Sequence, residues 1–126
     1  MKPWKIIQKL ESDNSRLFKE SVIEDNINDL ILQEGLSMCL DALVTFGVKQ
    51  VPESKDNGKG LNWETFKSSA MLLIDRERTG HAARDEILNL MSQATSEQWN
   101  DWYRRILIKD LRCGVSQKTV NNVSKK

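Results

Sequence analysis

The run Arg104-Arg-Ile-Leu-Ile-Lys-Asp-Leu-Arg-Cys-Gly-Val-Ser-Gln-Lys-Thr-Val-Asn-Asn-Val123 gathers the side chains best suited to gripping a polyanion. Residues 104–126 carry seven cations (Arg104, Arg105, Lys109, Arg112, Lys118, Lys125, Lys126) against one acid, Asp110. The first 103 residues hold twelve basic and seventeen acidic side chains, so a chain of net charge +1 divides into a part near −5 and a tail near +6. That asymmetry points to a polyanion partner at one end of the fold. Arg105, Lys109 and Arg112 stand at i, i+4 and i+7, a spacing that lines three cations along one helix face. Gly114 permits a tight turn and lets backbone approach a ligand with no Cβ in the way. Ser116 is a natural N-cap for a last helix through Val123, whose unpaired N–H groups and positive dipole end suit a phosphate. Ser116 and Thr119 would add hydroxyl donors there, and Lys109, Arg112 and Lys118 charge. Contacts of this kind fix position on a nucleic-acid backbone without reading its sequence. The competing reading is a solvated basic face that merely closes off a helical domain.

Thr79-Gly80-His81-Ala82-Ala83 is a second helix start of the same type, with Arg76, Arg78 and Arg84 nearby. His81 is the sole histidine. Lacking a second ligand or a partnered carboxylate, it suits a hydrogen bond or a phosphate contact better than a metal or general-base role. Trp63, Trp99 and Trp102 lie on apolar stripes and read as core rather than as base-stacking platforms, while Trp4 reads as partly exposed. The carboxylates are spread over surface positions, and no pair stands out for acid–base work. No catalytic residue and no metal site are expected.

The elements that must position these residues are helical nearly throughout. A first helix is expected from about Pro3 to Glu11 and a second over 15–25. A third spans 27–46, breaking near Gly35 and ended by the run into Pro52. The polar, glycine-containing stretch 53–60 reads as a mobile surface loop. Trp63, Phe66, Ala70, Leu73 and Ile74 then form an apolar stripe, Ala83, Ile87, Leu90 and Met91 another, and Trp99, Trp102 and Ile106 a third in a helix opened by Ser96 and Glu97. The expected fold is all-α, an irregular bundle of about six or seven helices forming one domain over 1–126. The composition, 39% hydrophobic and 29% charged, is that of a soluble protein, and runs such as Ala70-Met-Leu-Leu-Ile74 are too short to span a bilayer. No signal-peptide core follows Met1-Lys-Pro-Trp-Lys5, so a cytosolic location is expected. Cys39 and Cys113 lack metal spacing and read as free thiols, Cys39 in the core and Cys113 beside the turn.

Taken together, Thr79-Gly-His-Ala-Ala83 and Leu107-Ile-Lys-Asp-Leu-Arg-Cys-Gly-Val-Ser116 resemble the N-terminal DNA-binding domain of ATP-dependent DNA ligases, above all those of large tailed bacteriophages. That domain is small and all-helical, with a T-G-N-A-A helix start followed by an R-D-L-x-C-G turn. Phe46-Gly-Val-Lys-Gln-Val-Pro52 is similar to the family's aromatic-plus-I-K-K-x-P segment. The resemblance covers about residues 30 to 123 and is most specific over 79–83 and 107–119. His81 stands where the phage pattern often has Asn, and Lys109 where it often has Arg; both keep a donor.

The resemblance implies a module that grips duplex DNA flanking a nick, mainly across the minor groove and through phosphates. A separate nucleotidyltransferase domain and an OB domain wrap the rest. Carried over by position, Thr79, Gly80, Arg112, Gly114, Ser116 and Thr119 are the main contacts, with Lys109 and Lys118 in support. ATP and Mg2+ are expected only for the full ligase, in replication, repair and recombination. The nucleotidyl-accepting lysine sits in a K-x-D-G motif, whereas the nearest string here, Lys55-Asp-Asn-Gly58, has Asn in place of Asp and lies in a polar loop. It is rejected as a catalytic site. The chain reads as the DNA-binding piece of a ligase, either made alone or cut from a longer polypeptide. The alternative is a protein-interaction module of a replication or repair assembly, its acidic part (Glu11, Asp13, Glu20, Glu24, Asp25, Asp29, Glu34) meeting a basic partner.

Overall fold

Pro3 occupies the first turn of α1 (Pro3–Glu11), where its missing N–H costs no hydrogen bond. The computed structural model describes residues 2–124; Met1 and the tail cations Lys125 and Lys126 lie outside the described residues. Among these, seven helices and no strand are formed. Ser15 caps α2 (Arg16–Asp25), Asp29 caps α3 (Leu30–Leu40) and Asn62 caps α4 (Trp63–Ile74), each side chain accepting a backbone N–H in the first turn. Next comes α5 (Gly80–Gln93). Thr95 and Gln98 form a reciprocal capping box at the start of α6, which runs as Ser96–Gln98, a π-helical segment Trp99–Tyr103 and a last turn Arg104–Leu107. The final helix is α7 (Gln117–Ser124).

α6 is the hub of the packing. α1 lies against its π segment, α3 against its last turn, and α2 bridges α1 to α7, while α4 pairs with α5. Trp99, Trp102 and Ile106 are fully buried, and Phe66, Trp63 and Tyr103 stack around them, Phe66 and Tyr103 with ring centroids 4.5 Å apart. Trp63, Trp99 and Tyr103 each place their polar atom on a partner: the Glu34 carboxylate, the Pro52 carbonyl and the Leu61 carbonyl. Trp4 is half-buried against the same core.

Three expectations need correcting. The third helix runs unbroken through Gly35, because the glycine is where Trp102 passes. A Cβ there would lie 2.3 Å from the indole ring. That helix also stops at Leu40 rather than 46, where Asp41 turns extended. Second, the stretch 53–60 is stitched to the start of α6. Gly58 and Gly60 N–H groups bond the Ala94 and Gln93 carbonyls at 2.9 and 2.8 Å, and Ser54 and Asn100 exchange two hydrogen bonds of 2.8 Å. The Asn57 side chain accepts the Ser96 N–H at 2.7 Å. Third, α6 ends at Leu107, so no helix carries residues 105, 109 and 112 in one row.

Candidate nucleic-acid interface

The end of α6 explains the fate of two expected contacts. Lys109 has φ +58°, left-handed, and the Lys109 and Asp110 N–H groups bond the Ile106 and Arg105 carbonyls at 3.0 Å each. This is a Schellman ending with lysine where glycine is usual. The reversal swings Lys109 toward the end of α3, where its ammonium donates to the Met38, Asp41 and Val44 carbonyls. Arg105 is buried, and its guanidinium bonds the Asn100 and Leu111 carbonyls and the carboxylates of Glu11 and Asp101. Both cations are thus committed to holding the chain together. The sequence reading had them facing a ligand.

The same device recurs after α4. Arg76 has φ +60°, its N–H and that of Glu77 bond the Leu73 and Leu72 carbonyls, and its guanidinium reaches the Thr45 carbonyl and hydroxyl. Arg78 stays exposed in the turn that follows, where Asp75 and Glu77 alternate with the arginines.

Between Gly47–Pro52 and the start of α5 lies a groove of about 760 Å³. Gly80, Ala83, Arg84, Ile87 and Leu88 form one wall, Gly47 to Pro52 the other, with Arg104 and Ile108 at the α6 end. Its charged lining is Lys49, Arg84 and Arg104, with no acid among the described lining residues. Arg104 is partly spent, bonding the Val51 carbonyl at 2.7 Å and lying 3.9 Å from Glu53. Lys49 and Arg84 are exposed, and their side chains bond to none of the described residues. Thr79, at the N-cap, makes no side-chain capping bond, and Gly80 adopts φ +55° with nothing within 4 Å of where a Cβ would stand. The α5 start therefore presents open backbone and an unspent hydroxyl beside two unspent cations. His81 is exposed on the next position.

The second expected site, 112–119, does not line this groove. Ser116 and Thr119 cap each other reciprocally at the start of α7, the Thr119 N–H reaching Ser116 Oγ and the Ser116 N–H reaching Thr119 Oγ1, each at 3.3 Å. Arg112 (φ +56°) and Lys118 are exposed. Gly114 (φ +72°) faces inward constraints: a Cβ would meet the Lys19 side chain at 3.2 Å, and Lys19 donates to the Cys113 and Leu10 carbonyls. Fold geometry alone accounts for that glycine. Cys39 and Cys113 are both buried free thiols, Cys113 alongside the turn as its position predicts. Burial pushes the Cys39 thiol up to about 12.

Lys49, Arg84 and Arg104 were missing from the expected contacts. The usable signal was positional: Lys49 lies inside the Phe46–Pro52 segment, and Arg84 directly follows Ala83. Lys55 of the K-D-N-G string is exposed in the stitched loop. Among the described residues no group of three or more His, Cys, Asp or Glu is arranged to hold a metal ion, and no helix is long and apolar enough to cross a membrane.

With this geometry in place, the comparisons can be set beside it. No family model matches the sequence, and no curated protein matches it. Two solved structures do. One, named Pmar-Lig_Pre, is 50% identical over 99% of this chain, with a TM-score of 0.96. The other, named Pmar-Lig_PreS3, is 51% identical over 99% of this chain, again with a TM-score of 0.96. This chain spans only 30% of the length of each.

Proposed function

We propose that this chain is the DNA-binding module of an ATP-dependent DNA ligase, holding duplex DNA around a nick through the phosphate backbone and minor groove, without sequence preference. The observation that carries the reading is the whole-length similarity to two chains whose names read as ligase, of which this chain spans 30%. The groove supplies chemistry to match. Its open helix start, Lys49 and Arg84 are donors placed for phosphates, and they come from the two segments, 46–52 and 79–84, that carry or adjoin the family resemblance. Thr79, Gly80 and His81 belong to the same edge, and Arg112, Ser116, Lys118 and Thr119 form a second, separate point of contact. Arg105, Lys109 and Gly114 act indirectly, by building the surface.

On this reading the module binds DNA, while nucleotide transfer, ATP and Mg2+ belong to the remainder of a ligase. The protein-interaction alternative draws little support from the acidic residues it relied on. Glu11 is paired with Arg105, Glu20 is buried beside Arg16, and Glu34 holds the Trp63 indole and Lys67.

The test is fluorescence anisotropy of labelled nicked duplexes of unrelated sequence, titrated with this chain over a range of salt. Binding that ignores sequence and falls with salt by about 0.9 log units per phosphate contact supports the proposal. No binding at low salt, or marked sequence preference, contradicts it.

A further inference from the structure

Leu43 is 92% exposed, more than any other large apolar side chain among the described residues. It stands at the tip of the turn 41–45, and that turn is fixed from several sides. The Asp41 carboxylate accepts the Leu43 N–H at 2.9 Å, and the Asp41 carbonyl accepts the Val44 N–H at 3.1 Å. From below, the Lys109 ammonium donates to the Asp41 and Val44 carbonyls. From the side, Arg76 donates to the Thr45 carbonyl at 3.1 Å and to its hydroxyl at 2.9 Å. Two cations that the sequence reading set beside a ligand are instead spent on holding a leucine out in water. Nothing in the hydrophobic effect rewards that arrangement in the free protein.

The location says what would cover it. Gly47, which begins the groove wall, is four residues along the chain, at most about 14 Å away. A duplex whose phosphates meet Lys49 and Arg84 would therefore pass Leu43 within about four base steps of 3.4 Å. Leu43 is a single apolar tip between Ala42 and the half-buried Val44, beside exposed cations and a groove whose lining has no acid. A protein-docking face would call for a contiguous apolar patch. A lone apolar side chain flanked by phosphate-binding cations is how minor-groove binders press on sugars or wedge at a base step.

Resting on the reading of the groove as a duplex-DNA site, we infer that Leu43 is an apolar contact to the minor groove of bound duplex, held ready by Lys109 and Arg76. The contact is non-ionic, so its loss has a different signature from that of a phosphate contact. The experiment compares this chain with its Leu43→Ser, Leu43→Met and Arg84→Ala variants, measuring anisotropy on a nicked duplex at several salt concentrations and thermal unfolding of each protein. Leu43→Ser is expected to weaken binding about tenfold at every salt concentration with the salt slope unchanged, while Leu43→Met stays within about twofold. Arg84→Ala is expected to lower the slope by about one contact. All three should melt as the parent does, Leu43 and Arg84 being exposed. Parental affinity in Leu43→Ser overturns the inference while leaving duplex binding intact, and assigns the leucine to a protein partner instead. A loss in Leu43→Ser that comes with a changed slope or a lowered melting temperature also overturns it. Absence of binding by the parent chain removes the groove reading and this inference together.

Discussion

At the scale of single residues, cations of identical charge divide into two jobs, and burial decides which. Arg105 is buried with two carboxylates and two carbonyls around it, so Arg105→Ala leaves Glu11 and Asp101 without their partner. That substitution should cost about 3–5 kcal/mol in urea unfolding. A cost near zero would place Arg105 on the surface. Arg84, exposed in the groove, should behave oppositely: Arg84→Glu weakens duplex binding while unfolding stability stays within about 0.5 kcal/mol. A third prediction concerns pH. Burial raises the Cys39 thiol from 9.0 to about 12, and it raises the Tyr103 phenol in the same direction. A raised folded-state pKa means the folded chain holds a proton the unfolded chain has lost. The associated stability is complete below about pH 9 and drains away as pH climbs toward about 12. Melting temperature followed from pH 7 upward should fall beyond about pH 9; a flat curve there would contradict the burial argument.

At the scale of elements, helix starts and apolar stripes were legible because they are local. Caps at Ser15, Ser116 and Pro3 and the stripes of α4, α5 and α6 follow from neighbours three and four residues apart. What escaped is what depends on distant parts of the chain. The extent of α6 was misread because non-glycine residues seldom adopt left-handed backbone, yet Lys109 does, and its long side chain then finds carbonyls some seventy residues back. The loop 53–60 has no periodicity to read, and its order comes from bonds to the start of α6. The groove itself was half visible: 46–52 and 79–83 both drew attention, but only folding sets them face to face across Lys49 and Arg84. Glycines give the sharpest test at this scale. Gly35→Ala would drive a methyl into the rigid Trp102 ring and should cost about 1–3 kcal/mol in thermal or urea unfolding. Gly80→Ala meets open space and should cost only about 1–2 kcal/mol for its left-handed φ. Equal tolerance of both would mean that Trp102 is not where the packing puts it.

At the scale of the whole molecule, near-neutral net charge conceals a division of labour. Many acids are consumed in internal pairs, while Lys49, Arg84, Arg112 and Lys118 keep exposed side chains with no described partner. The central claim is that the groove between 46–52 and the start of α5 receives duplex DNA. Its most direct test is an amide chemical-shift titration of this chain with a short nicked duplex. The account predicts the largest shifts at Lys49, Gln50, Gly80, His81 and Arg84, with a second set at Arg112 to Thr119 and little change in α2 or the exposed face of α4. Shifts confined to the acidic helices, or none on saturating duplex, would contradict it.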